Sequence, residues 1–99
     1  MIDKLFDSIF NASERMRIQE ATRSEPWLTM RKAWILYAYM CDYPLRDIAR
    51  SINRNNRQTR YLLEKAEDLF SVNDKELHHY IEKYERKVED ACGVSTKAY

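Results

Sequence analysis

One glycine, Gly93, and two prolines, Pro26 and Pro44, are the only such residues in this 99-residue chain, and that scarcity constrains its fold more than any motif does. Tight hairpins need residues at positive φ, most often glycine, so a glycine-dependent sheet is nearly excluded and helices are favoured. A Walker-type phosphate loop needs two glycines ahead of a lysine, so ATP hydrolysis through such a loop is excluded too; no cofactor or nucleotide is expected. Ninety-nine residues can bury a core without metal or disulfide. The expected architecture is an all-α, five-helix single domain over 1–93, followed by a tail, 94–99, too poor in apolar residues to hold itself down.

Cys41 and Cys92 have no Cys-x-x-Cys spacing, which argues against a disulfide framework or zinc site and suits a reducing cytoplasm. The longest apolar run, Ala33 to Cys41, falls well short of the roughly 20 residues a membrane span needs. The N-terminus lacks a basic region followed by an apolar core, so neither export nor membrane insertion is expected.

Ile2, Leu5, Phe6, Ile9 and Phe10 recur at helical spacing, which predicts one amphipathic helix over about 2–20, continuing through Met16 and Ile18. Ser24 ahead of Pro26 marks the entry to a second helix. From Trp27 to about Cys41 nearly every side is apolar, as a central buried helix requires. Asp42-Tyr43-Pro44 ends it. A third helix is expected over about 45–53 and a fourth over 56–71. Asn73, with Glu76 three positions later, is the expected cap of a fifth, whose inward stripe is Leu77, Tyr80, Ile81, Tyr84 and Val88 and whose end lies near Gly93.

The net charge of +1 hides a separation. Arg46, Arg50, Arg54, Arg57, Arg60 and Lys65 face only Asp47 and Glu64 between 46 and 65, whereas eight acids oppose four bases between Ala66 and Asp90. A basic stretch of this kind suits phosphates.

Within that stretch, residues 45–71 have the pattern of a helix-turn-helix. Ile48, Ala49 and Ile52 give the first helix an apolar face, and small Ala49 lets a second helix cross close to it. Asn53 is the turn residue, since asparagine tolerates a left-handed backbone. Asn56, Arg57, Gln58 and Arg60 then cluster at a helix start, with Leu62, Leu63, Ala66, Leu69 and Phe70 as the inward stripe behind them. Arginine pairs in bidentate fashion with guanine, and asparagine or glutamine with adenine, so this polar head suits base readout in a major groove. Arg31, Lys32, Arg46, Arg50 and Arg54 flank it and suit phosphates.

His78 and His79 are adjacent and lack the i, i+4 spacing of a metal pair. The seven tyrosines and two tryptophans suit packing. No Ser, His and Asp set or carboxylate pair stands out, so neither catalysis nor a metal site is expected.

Met30 to about Phe70 resembles the C-terminal DNA-binding domain of the bacterial replication initiator DnaA, a Trp-repressor-like helix-turn-helix fold. Arg31-Lys32-Ala33 and Leu45-Arg46-Asp47-Ile48-Ala49-Arg50 stand where the family has its Arg-Gln, alanine-rich helix and its Leu-Pro-Glu-Ile-Gly-Arg run. Asn55-Asn56-Arg57-Gln58-Thr59 stands at the base-reading signature Arg-Asp-His-Thr-Thr, with Thr59 identical. The resemblance implies the scaffold, docking by the second helix, and base contacts that include Asn55 and Thr59. Family members also insert a basic loop into the minor groove, and Arg23 is the matching candidate here.

The expected function is that of a sequence-specific, double-stranded DNA-binding protein, a small transcription or replication regulator. The alternative is a protein-interaction or oligomerisation module on the same scaffold, using the N-terminal apolar edge and the acidic C-terminal helix. A homodimer through either terminal helix is compatible with both readings.

Overall fold

A computed structural model describes residues 2–20 and 24–92, with the side chains of 91 and 92 excepted. Among the described residues it is all-helical, with α1 (Ile2–Ile9), α2 (Ala12–Gln19), α3 (Trp27–Met40), α4 (Leu45–Ser51), α5 (Asn56–Ser71) and α6 (Lys75–Cys92). Arg23 and the expected tail, 94–99, lie outside the described residues.

The single N-terminal helix expected over 2–20 is two helices. Asn11 is extended and caps α2: its Oδ1 accepts from Glu14 N at 2.9 Å, and the Glu14 carboxylate accepts from Asn11 N at 3.0 Å. This reciprocal capping box ends one helix and starts another. The break leaves Met16 exposed and turns Ile18 fully inward. At α3 the Glu25 carboxylate accepts from Thr29 N and from Thr29 Oγ1, at 3.2 and 2.7 Å.

Three helices end in the same way without glycine. Asp42, Asn53 and Asn73 adopt φ of 68°, 55° and 57° after α3, α4 and α5. In each case the next residue's amide reaches back to the helix: Tyr43 N to Ala38 O, Arg54 N to Ala49 O and Asp74 N to Leu69 O, at 3.2, 2.9 and 3.0 Å. This is the Schellman arrangement, with short polar side chains occupying the left-handed position that glycine usually takes. Asn53 therefore behaves as expected. Asn73 does not: it closes α5, and Asp74 caps α6, its Oδ2 accepting from Leu77 N at 3.0 Å.

Helix α3 is the hub, packing against α2, α4, α5 and α6, while α1 packs against α4 and α6. Trp34 is fully buried at its centre. Phe6 and Phe10 meet its ring edge-on at centroid distances of 5.0 and 5.9 Å, and Tyr84 of α6 meets Phe10 at 5.2 Å, geometries that aromatic quadrupoles favour. Most of the N-terminal apolar edge is thus inside: Phe6, Ile9 and Phe10 are each 2% exposed, and Ile2 and Leu5 pack against them half-buried. Two buried polar groups are matched within this core. Trp34 Nε1 donates to Ser51 Oγ at 3.0 Å, and Tyr84 Oη donates to Met30 O at 3.0 Å.

Candidate nucleic-acid interface

Helices α4 and α5 cross on the surface of this core, joined by residues 52–55. Ile48, Ala49 and Ile52 on one side, and Thr59, Leu63 and Ala66 of α5 on the other, are all buried, where α5 packs on α3 and α4. The α5 range coincides with the expected 56–71, whereas α4 stops at Ser51. The inward stripe is narrower than its sequence suggests. Leu62 and Leu69 are half-buried, and Phe70 is 38% exposed at the helix end, where its ring lies 4.5 Å from that of His78.

The start of α5 points the other way. Asn55, Asn56, Arg57, Gln58 and Arg60 are all exposed. Asn55 is the N-cap, accepting from Gln58 N at 2.8 Å, and Gln58 Oε1 returns the contact to Asn55 N at 3.3 Å. The box fixes both side chains and leaves the Gln58 Nε2 donor outward. Among the described residues no hydrogen bond or ion pair is formed by the side chains of Asn56, Arg57 or Arg60.

Charge on α5 runs against the helix. Arg57 sits in the first turn, where the macrodipole is positive, with Arg60 just behind it, and Asp68 sits in the last, where it is negative; the first turn holds no acid and the last no base. A charge so placed in a terminal turn, as Arg57 and Asp68 are, costs a few tenths of a kcal/mol to about 1.

Thr59 requires a correction. It is fully buried, and its Oγ1 donates to Asn55 O at 2.9 Å, so it braces the first turn from beneath and is not available to a base. Two of the expected phosphate contacts require another. Arg31 is 3% exposed; its Nε donates to Ile18 O at 2.9 Å and its Nη2 to Glu20 O at 2.8 Å. Arg54 Nη2 donates to Glu20 O, and its Nη1 to Gln19 O and Ile52 O, at 2.6, 3.2 and 3.0 Å. The last carbonyls of a helix have no partner inside it and carry its negative pole. Two guanidiniums take those of α2, and Arg54 at the same time ties them to the turn before α5. Burial, and then the neighbouring Arg54, pull the Arg31 pKa below its ordinary value.

The remaining candidates are at the surface. Arg46 touches Asp47 at 4.0 Å with most of its side chain in solvent, Arg50 is exposed, and Lys32 is half-buried. Tyr61 shares this surface: it is 59% exposed, with Lys65 Nζ 5.4 Å from its ring centroid. Its signal is phase, since it stands four residues after Arg57 and off the Thr59, Leu63, Ala66 stripe.

Comparison with known proteins finds no matching family model, no matching curated protein and no matching solved structure. Among the described residues no group of three or more His, Cys, Asp or Glu side chains is placed to hold a metal ion. No helix among them is long and apolar enough to cross a membrane.

Proposed function

We propose that the chain is a sequence-specific, double-stranded DNA-binding protein, a small transcription or replication regulator, in which α4 and α5 act as a helix-turn-helix and α5 enters the major groove by its first two turns. The observation that carries this reading is the solvent-facing set Asn56, Arg57, Gln58 and Arg60, held on a helix whose charges oppose its own dipole. A sequence shaped for stability alone favours acids at that end. Arg57 and Arg60 supply bidentate donors for guanine, and Asn56 and Gln58 supply amides for adenine. Arg46, Arg50 and Lys32 are the phosphate contacts that set register. The likeness of residues 30–70 to the DnaA DNA-binding domain supports the same docking mode.

Selection from random duplexes at two salt concentrations tests it. Enrichment of a defined site, with affinity falling steeply in salt, is the expected result. On that site Arg57→Ala relaxes base preference and costs about 1–3 kcal/mol. Arg50→Ala weakens all duplexes alike. Enrichment of no sequence, or unchanged preference in the Arg57 variant, overturns the reading.

The alternative, a protein-interaction module, draws less support than the sequence offered it. Of its N-terminal apolar surface, Phe6, Ile9 and Phe10 are packed in the core beneath α3 and α6, Ile2 and Leu5 are half-buried against it, and Met16 is exposed.

A further inference from the structure

The outer face of α5 carries one large aromatic among its polar groups. Tyr61 follows Arg57 by four residues, so the two side chains lie one above the other on the side opposite Thr59, Leu63 and Ala66. Lys65 Nζ sits over the ring at 5.4 Å from its centroid; a cation there orients the ring and covers part of it, leaving the rest in solvent. Beyond Tyr61 the exposed charged residues of α5, apart from the Lys65 that covers its ring, are acidic: Glu64, Glu67 and Asp68. Those carboxylates repel phosphates, so the helix meets a duplex over its first two turns, and Tyr61 is the last side chain before the repulsion begins.

Arginine and amide side chains read hydrogen-bond edges, and none of them senses the methyl group that distinguishes thymine from uracil. An apolar ring does. We propose that Tyr61 is a specificity residue that packs on the 5-methyl group of a thymine in the major groove, beside the base pair addressed by Arg57. The proposal rests on the DNA-binding reading above and adds to it a thymine at a defined place in the site.

The test uses the full chain and the duplex enriched by selection. Each thymine is replaced in turn by deoxyuridine, which removes the methyl and leaves every hydrogen-bonding group in place. One replacement is expected to weaken binding about fourfold, the contribution of a single buried methyl-sized group. Tyr61→Phe keeps that discrimination. Tyr61→Ala binds the thymine duplex more weakly and no longer distinguishes the two bases, while unfolding at an unchanged temperature, since the ring is exposed. A flat deoxyuridine scan overturns the proposal, as does an unchanged thymine preference in Tyr61→Ala. So does a loss of affinity in Tyr61→Phe without thymine preference, which assigns the hydroxyl to a phosphate. Enrichment of no duplex removes the DNA-binding reading and this proposal together, whereas an enriched duplex with a flat scan removes Tyr61 alone.

Discussion

Arg31 and Arg54 belong to the same basic population as Arg57 and Arg60, yet the two pairs live in opposite environments. The first pair closes the end of α2, donating to the carbonyls of Ile18, Gln19 and Glu20, and Arg54 donates to that of Ile52 as well. The second stands in solvent on the first turns of α5, with no partner among the described residues. Helix ends explain the division. The carbonyl end of α2 is a negative pole that draws in cations and satisfies them, whereas the amide end of α5 is a positive pole that offers an arginine nothing. An arginine held where its own helix disfavours it is the better candidate for an outside partner.

The largest test of this contrast is a matched pair of substitutions. Arg31→Met should lower unfolding free energy by roughly 3 kcal/mol in urea, because at least two carbonyl oxygens lose a buried charged donor, while Arg57→Met should stay within about 0.5 kcal/mol. Equal losses would erase the distinction.

A second pair compares tyrosines. Tyr84→Phe removes the buried donor to Met30 O and should cost about 1–2 kcal/mol, whereas Tyr61→Phe should cost nothing measurable. Burial holds the Tyr84 phenol far above its ordinary pKa. The folded state therefore favours its neutral form, and the stability this lends is complete below the unfolded value near 10 and declines as pH rises past it. Unfolding midpoints measured from pH 8 to 11 should fall less steeply in Tyr84→Phe than in the parent chain.

Asn55→Ala probes the start of α5 directly. Loss of the capping box should cost about 1 kcal/mol, and it should weaken DNA binding further by freeing Gln58 from its fixed position. Hydrogen exchange of the Thr59 amide, bonded to Asn55 O at 3.0 Å, would report the fraying.

The smallest effect is the most diagnostic. Arg57→Glu places an acid where the α5 dipole favours one and should stabilise the fold by a few tenths of a kcal/mol, while abolishing DNA affinity. Thermal unfolding and binding read side by side would then move in opposite directions, as expected of a position kept for function at the expense of stability. A destabilised Arg57→Glu variant would mean that the arginine supports the fold after all.

Much of the fold was written in local signals. The α5 boundaries followed from a polar head at Asn56 and the apolar stripe behind it, and the Asn53 turn followed from the backbone tolerance of asparagine. The break at Asn11 was equally local, through its capping box with Glu14, but the continuous run of apolar residues through Ile18 concealed it. Asn73 and Asp74 are both good caps, and only the left-handed backbone at Asn73 tells which one ends α5 and which one starts α6.

What the chain's order of residues determined by itself was the helical class, the crossing of α4 and α5 over a small residue, and the outward phase of Asn56, Arg57, Gln58 and Arg60, because glycine scarcity, capping and periodicity act over a few residues. The tertiary structure alone decided which arginines face water. Arg31 and Arg54 find the carbonyls of α2 across 11 to 35 positions of sequence, and a charge meets such a partner only once the helices between them have packed.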